Sequence, residues 1–336
     1  MRALRLHGKF DLRLEDLPIP RQPGRALVRV RAVSICGSDL HNYLEGGTGG
    51  APSGQPFTLG HEFAGVLEEV PEGCTLPPGT LVAVDPAESC GHCRLCLSGY
   101  PNLCPEVRFA GSSPYDGGMA EYYSAAPSAL IPLPEGMDAV SGALLEPLGV
   151  AIHAVGLARL RPGSRVLILG AGPIGLLLLQ VARASGAAQV LVADPLPYRL
   201  EVARELGASW VGEDAEAARR AAGEAGIGTV LEATNAAEAA EQACSAARPG
   251  GKVVLVGIPS EDRYQLTASL LRRKGLSLLL ARRMGHTYPA AIRLVQAGSV
   301  QLAPLVSHRF PLGEALRAFG LQSSYREGAL KAVLTP

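Results

Sequence analysis

Cys90, Cys93, Cys96 and Cys104 follow the pattern CxxCxxCx7C within a loop thick with glycine and proline. Four thiolates so spaced can reach one tetrahedral ion without regular secondary structure, which is what a closed structural zinc site requires. Such binding releases on the order of 10 kcal/mol in small zinc peptides, so the lobe 88–106 is expected to depend on the metal for its order. A zinc module that reads nucleic acid is the functional rival, but the neighbourhood offers only Arg94 and Arg108 as cations.

A second set is scattered along the chain: Cys36, Ser38, Asp39 and His41, then His61 and Glu62, then Glu146. Cysteine, histidine and carboxylate are the ligand types of catalytic zinc, where three protein groups leave a fourth position for water or substrate. Each residue alone has a plainer use. His61 could be a hydrogen-bonded core histidine, Ser38 could cap a helix, His41 could lie on the surface, and Glu146 beside Pro147 could be a helix-start acid complementing the dipole. Their joint presence is what argues for a metal centre. Cys74 and Cys244 have no motif around them and read as ordinary core or surface thiols.

The third constellation is Gly170, Ala171, Gly172, Pro173, Ile174 and Gly175, which follows an apolar run at 165–169 and opens a leucine-rich segment. In a dinucleotide fingerprint the first glycine permits the tight turn and the second lets backbone approach the pyrophosphate. The third lets helix pack closely on strand, with the phosphates at the positive helix end. A second apolar run at 189–193 ends in Asp194, nineteen residues beyond Gly175, where the acidic residue of this motif belongs. A carboxylate there can accept from both adenosine ribose hydroxyls and would repel the extra phosphate of NADP, so NAD is the expected cofactor. Arg199 reads either as an adenosine contact or as a solvated helix charge.

These sites need elements to hold them. Residues 1–148 are rich in valine, glycine and proline, with short runs such as 26–33 and 80–84 that read as strands between turns. From 149 to 284 the text alternates apolar strand, glycine turn and alanine-rich helix. Strands are expected at 165–169, 189–193, 209–211, 229–232, 252–256 and 276–280, enough for a complete doubly wound parallel sheet of the Rossmann type. A segment from 285 to 336, with a helix at 288–297, a strand at 306–310, a helix at 312–319 and a strand at 329–334, is expected to return to the first domain.

With 336 residues and 47% hydrophobic content the chain can bury two cores. Acidic and basic residues balance at 31 each, which argues against nucleic acid or an anionic membrane as partner and for a small, mostly neutral one. Residues 1–10 show no cationic segment leading into an apolar run, and the apolar stretch at 166–182 is broken by glycines and Pro173. The expectation is therefore a cytoplasmic chain without a membrane span. Seven cysteines, an odd number with four crowded together, argue for metal binding over disulfides.

ICGSDLH (35–41), GHE (60–62), the four-cysteine lobe, LLEPL (144–148) and GAGPIG (170–175) together resemble the zinc-containing medium-chain alcohol dehydrogenases. SGYPNLCPEVRF (98–109) and LLEPL resemble the sorbitol and polyol branch in particular, where a glutamate replaces the third zinc cysteine of ethanol-type enzymes. The resemblance implies a mostly-β GroES-like catalytic domain beside the Rossmann domain, with two zinc ions and NAD. It implies Cys36 and His61 as direct zinc ligands and Glu62 and Glu146 as direct or water-mediated ones. Ser38 would take the substrate proton and His41 would carry it out, while hydride passes from a secondary alcohol to nicotinamide and leaves a ketone.

For substrate contacts, ARRMGHTYP (281–289) resembles the polyol-binding region. Arg283 fits its arginine, whereas Met284 stands where tyrosine is common, which puts sorbitol itself in doubt. Tyr43, Phe109 and Tyr115 are candidate pocket walls, each with a packing use as an alternative. Rival readings are an L-threonine 3-dehydrogenase, a sugar-phosphate or cyclitol dehydrogenase using Arg282 and Arg283, and a noncatalytic zinc-binding relative. The last has no reason to keep Cys36, Ser38, His61 and Glu62 together. The resemblance also suggests a homo-oligomer, dimer or tetramer, with 276–280 as a candidate sheet edge.

Overall fold

The computed structural model describes residues 1–48, 51–52 and 55–336. They form two compact units, one of Met1–Glu146 with Val306–Pro336 and one of Pro147–Leu305. The return to the first unit thus comes at Val306, later than the expected residue 285. The reason is packing within the second unit. Tyr288 and Ala291 of the helix Tyr288–Gln296 are buried, and a β-carbon on Gly149 would lie 2.3 Å from the Met284 sulfur and 2.5 Å from Thr287 Oγ1. Past that helix, the Gln180 side chain donates to the Gln301 carbonyl at 3.1 Å and accepts from its N–H at 2.7 Å.

The first unit is built on a seven-stranded sheet. Its spatial order is Leu130–Pro132, Leu81–Val84, Glu62–Glu69, Ala26–Ser34, Lys331–Thr335 and Val306–Pro311, with Tyr122–Ala125 also pairing to Ala26–Ser34. Valine, leucine and alanine alternate inward along these strands onto a core anchored by Phe57, Phe63 and Phe319. The register puts Ser34 opposite Glu62 on one side and opposite Val333 on the other. Three strand ends are thereby brought to one place.

In the second unit six parallel strands run in the order Trp210–Gly212, Gln189–Ala193, Arg165–Leu169, Ile227–Glu232, Ala247–Leu255, Ser277–Leu280. This is the doubly wound order 3-2-1-4-5-6, whose direction of progress reverses beside the first strand and opens a crevice at the carboxyl ends. The two strands flanking the glycine motif have the bounds expected from sequence, and the others differ by a few residues at their ends.

The helix Ala139–Ala158 is long and apolar enough to cross a membrane, but 61% of its apolar window is buried within the fold. It is a core helix. Asp138 accepts the Ser141 N–H at 2.8 Å at its start. Glu146 therefore lies in the helix interior, just before Pro147, and is not the helix-start acid that its neighbourhood in sequence suggests.

Candidate active site

Cys36 caps a helix, Gly37–Glu45, that follows directly on the strand Ala26–Ser34. The buried Asp39 carboxylate accepts the Cys36 N–H at 2.9 Å, accepts the Gly60 N–H at 3.3 Å, and faces His61 Nδ1 at 3.7 Å. One side chain therefore ties the cysteine loop to the histidine loop. Gly60 sits at φ +94°, where a β-carbon would come within 2.7 Å of Met119 and 2.9 Å of Val33, so the turn that delivers His61 tolerates only glycine.

The outcome is that ligand atoms of Cys36, His61 and Glu62 all lie within 4.8 Å of one another. Ser38 joins them, its hydroxyl 3.5 Å from His61 Nε2. With Asp39 on the Nδ1 side, Nε2 is the ring nitrogen left to face a metal.

Two buried groups complete the setting. Lys331 donates to both Glu62 oxygens, at 2.9 and 2.7 Å, and to the Ile35 carbonyl at 3.2 Å, and Ser34 donates to the same carboxylate. Gln322 from the return segment donates to Ile35 O at 2.8 Å and accepts from Ala332 N at 2.7 Å, locking the strand that carries Lys331 to the loop that carries Cys36. Sequence reasoning missed Lys331 and gave Asp39 no role. The only sequence signal for Lys331 is a lysine opening an otherwise apolar strand.

Burial opposes the charged forms of Glu62, Lys331, Cys36, Asp39 and Glu146, and their partners decide the outcome. Burial raises the Glu62 pKa, yet Lys331, with His61 and Ser34, prevails and holds it below the ordinary carboxylate range. Burial lowers that of Lys331, but Glu62 prevails and raises it, so both groups stay charged. The Cys36 thiol is pushed up to about 12 by burial and by the Glu62 charge. Glu146 is pushed up to about 8, chiefly by burial, with Glu62 and Cys36 adding to the rise and His61 and Lys331 opposing it. Burial also raises Asp39, against His61 and the Cys36 and Gly60 N–H groups, which lower it.

The remaining candidates separate. Phe109 packs against His61 with ring centroids 5.4 Å apart, beside the cluster. Tyr43 is instead wedged edge-on between Phe10 and Phe319, each at 5.6 Å, so it serves the core. Tyr115 lies under the Arg108 guanidinium. His41 pairs with Glu45 at 2.9 Å along its own helix. Arg283 belongs to the second unit and takes a left-handed backbone conformation, φ +53°, while Met284 is packing against Gly149.

Cys90, Cys93, Cys96 and Cys104 also converge within 4.8 Å. Two sulfur pairs are 4.0 Å apart. The edge of a tetrahedron with zinc–sulfur bonds of about 2.3 Å is about 3.8 Å, so the cluster has the dimensions for zinc. Backbone N–H groups of Cys90, Cys93 and Cys96 donate to Sγ of Cys104, Cys90 and Cys93 at 3.3 to 3.5 Å, so amide donors face three of the four sulfurs.

In the second unit the glycine motif turns from strand Arg165–Leu169 into helix Pro173–Ala184. A β-carbon on Gly175 would stand 1.7 Å from the Gly170 carbonyl oxygen, and one on Gly172 would meet nothing nearer than Arg199 at 3.9 Å. The motif is therefore closed where helix meets strand and open where a pyrophosphate would approach; Pro173 and Ile174 form the first turn of the helix. Asp194 accepts Ala171 N–H at 2.7 Å and Leu196 N–H at 2.9 Å, with Arg199 at 3.5 Å. Arg199 is thus neither solvated nor free, and partners the acidic residue. Asp194→Asn is expected to lower the ratio of kcat/KM for NAD over NADP by about tenfold to a hundredfold, matching the 1.5–3 kcal/mol of a hydrogen bond to a charged group. An unchanged ratio would remove Asp194 from cofactor choice.

The alcohol dehydrogenase GroES-like domain matches residues 22–135, and the zinc-binding dehydrogenase domain matches residues 173–297. The chain is 33% identical to the sorbitol dehydrogenase of Bacillus subtilis over 343 residues, covering 100% of this chain and 97% of that one. It is 38% identical to the sorbitol dehydrogenase of Homo sapiens over 327 residues, covering 94% and 91%. Among solved structures, L-idonate 5-dehydrogenase from Escherichia coli superposes with a TM-score of 0.92 at 29% identity, covering 100% of this chain and 98% of that one.

Proposed function

The chain belongs to the zinc-containing medium-chain alcohol dehydrogenases, and we propose that it oxidises a secondary alcohol of a polyol or similar small hydroxylated substrate to a ketone, with NAD. The observation that carries this reading is the convergence of Cys36, His61 and Glu62 around one point, beside the Ser38 hydroxyl. Names of relatives, among them sorbitol dehydrogenase and L-idonate 5-dehydrogenase, support the polyol class.

Cys36, His61 and Glu62 are the proposed ligands of the catalytic zinc, leaving one position open, and the four-cysteine lobe holds a structural one. Zinc at the open site supplies Lewis-acid polarisation of the substrate hydroxyl. NAD, held at Gly170–Gly175 and Asp194, supplies the hydride acceptor. Lys331 and Ser34 keep Glu62 anionic and fixed, and Asp39 fixes the His61 ring. Glu146, buried in the same surroundings, is a further direct or water-mediated ligand of the same ion. Ser38 accepts the substrate proton, and His41 passes it to solvent. Ser38→Ala is expected to lower kcat by about a hundredfold, within the range for lost general acid–base catalysis, with NADH affinity unchanged. Wild-type turnover in that variant would take the serine out of the mechanism.

The deciding experiment is turnover of an alcohol panel with NAD and NADP on protein of measured zinc content. Expected are two zinc ions per chain and a preference for polyols over primary alcohols and L-threonine. Preference for threonine, or full activity without zinc, would overturn the proposal. For assembly, the edge strand Ser277–Leu280, whose Leu280 is 61% exposed, suits pairing with a second copy in a dimer or tetramer. Thiolate-bound zinc fits a reducing compartment, the cytoplasm.

A further inference from the structure

The amino ends of the parallel strands carry a feature that the dehydrogenase chemistry does not use. A groove of about 810 Å3 opens there, lined by Arg159, Arg161, Arg165, Arg248 and Lys252, and no aspartate or glutamate lines it. None of these five cations is in an ion pair among the described residues. In a chain whose charges balance at 31 each, so one-sided a concentration is local and not part of a general field.

Two of the five are fixed in place. Arg165 donates to Gln189 Oε1 at 2.5 Å and to the Ala222 carbonyl at 2.9 Å, and Lys252 donates to the Ala158 carbonyl at 2.7 Å. Both spend hydrogen bonds on neutral acceptors and keep their charge unbalanced. Arg159, Arg161 and Arg248 are exposed, with guanidinium groups available to a ligand. Arg248 lies over Gly226, where a β-carbon would come 3.0 Å from the Arg248 Cβ, so glycine makes room for it.

We propose that this groove is a second ligand site, for a small molecule carrying three or more negative charges on phosphate groups. Guanidinium forks pair bidentately with phosphate oxygens, and several together stabilise a charge density that one cation cannot. The groove has the volume of a small-molecule site, and the balanced charge of the whole chain argues against a nucleic-acid track. Its position at the amino ends separates it from the cofactor crevice, which doubly wound sheets form at the carboxyl ends.

The test uses zinc-replete enzyme saturated with NADH, so that the cofactor's own phosphate seat is filled. Calorimetric titration with inorganic pyrophosphate is expected to show one site per chain. Binding should weaken at least tenfold in Arg161→Ser/Arg248→Ser, with zinc content and NADH affinity unchanged. Because chelation of zinc would be equal in both proteins, the difference isolates the groove. Citrate, a compact carboxylate anion, should bind more weakly than pyrophosphate. Absence of pyrophosphate binding, equal binding by the variant, or tighter binding of citrate would overturn the proposal.

Discussion

Cys36→Ala is expected to lower kcat/KM for the best alcohol by about a thousandfold or more and to leave one zinc per chain in place of two. Losing the Lewis acid forfeits several kcal/mol of transition-state stabilisation, and each 1.36 kcal/mol is tenfold in rate. The four-cysteine lobe shares no residue with the Cys36 cluster, so its metal should stay and the fold with it. Protons give a second readout. The Cys36 thiol, pushed up to about 12, is protonated at pH 7 without metal, and zinc must displace that proton. Calorimetry in buffers of different ionisation enthalpy should show about one proton released as zinc enters the catalytic site of the wild type. For one displaced proton, affinity should fall about tenfold for each pH unit lowered. A Cys36→Ala enzyme that keeps two zinc ions, or wild-type protein that takes up zinc without releasing a proton, would place the metal elsewhere.

What could be read in the sequence, and what could not, divides by the range of the interaction. The glycine motif and its acid were legible because the helix end that meets a pyrophosphate is built from contiguous residues, and Gly175 tolerates no side chain against Gly170 O. The four cysteines were legible for the same reason, a metal loop being local. For Tyr43 the sequence left pocket wall and packing open, because an aromatic side chain in a helix carries no mark of which partner it meets; the Phe10 and Phe319 rings supply the packing partners. The late return of the chain was hidden because the helix at 288 looks alike in either domain, and only the small Gly149 surface and the Gln180 clasp decide where it packs.

Lys331 lies 269 residues from Glu62, yet composition holds a trace of it. Arginine supplies 27 of the 31 cations, and of the 4 lysines only Lys9 sits on the surface over an aromatic ring. Lys252 donates to the Ala158 carbonyl, Lys274 to three carbonyls at its helix's neighbour, and Lys331 to Ile35 and Glu62. A compact ammonium with three rotatable donors suits converging acceptors in a confined space, where a planar fork does not fit. Lys274 and Lys331 mark such places in a chain that otherwise writes its cations as arginine.

Lys331→Met is accordingly expected to cost about 3–5 kcal/mol of stability, the loss that follows when one partner of a buried pair is removed and the other charge stays behind. Glu62 and Lys331 side chains are only 1% and 3% exposed, so water cannot take the place of the ammonium. Zinc affinity at the catalytic site should fall about tenfold to a hundredfold, as it does when an outer partner of a metal ligand is lost. The pH dependence has a definite sign. In the wild type the Glu62 pKa is held low, so the pair contributes its full stability above the ordinary carboxylate range and loses it as pH falls through the lowered value. In the variant only His61 and Ser34 are left to oppose burial, which favours the protonated acid, so the deficit relative to wild type should be greatest near neutrality and shrink as the pH is lowered. Glu62→Gln added to Lys331→Met removes the stranded charge while keeping the Ser34 hydroxyl a partner, and should restore most of the lost stability without restoring zinc affinity. A single variant as stable as the wild type, or a double variant no more stable than the single, would mean that the pair is solvated and that Glu62 is held by something other than Lys331.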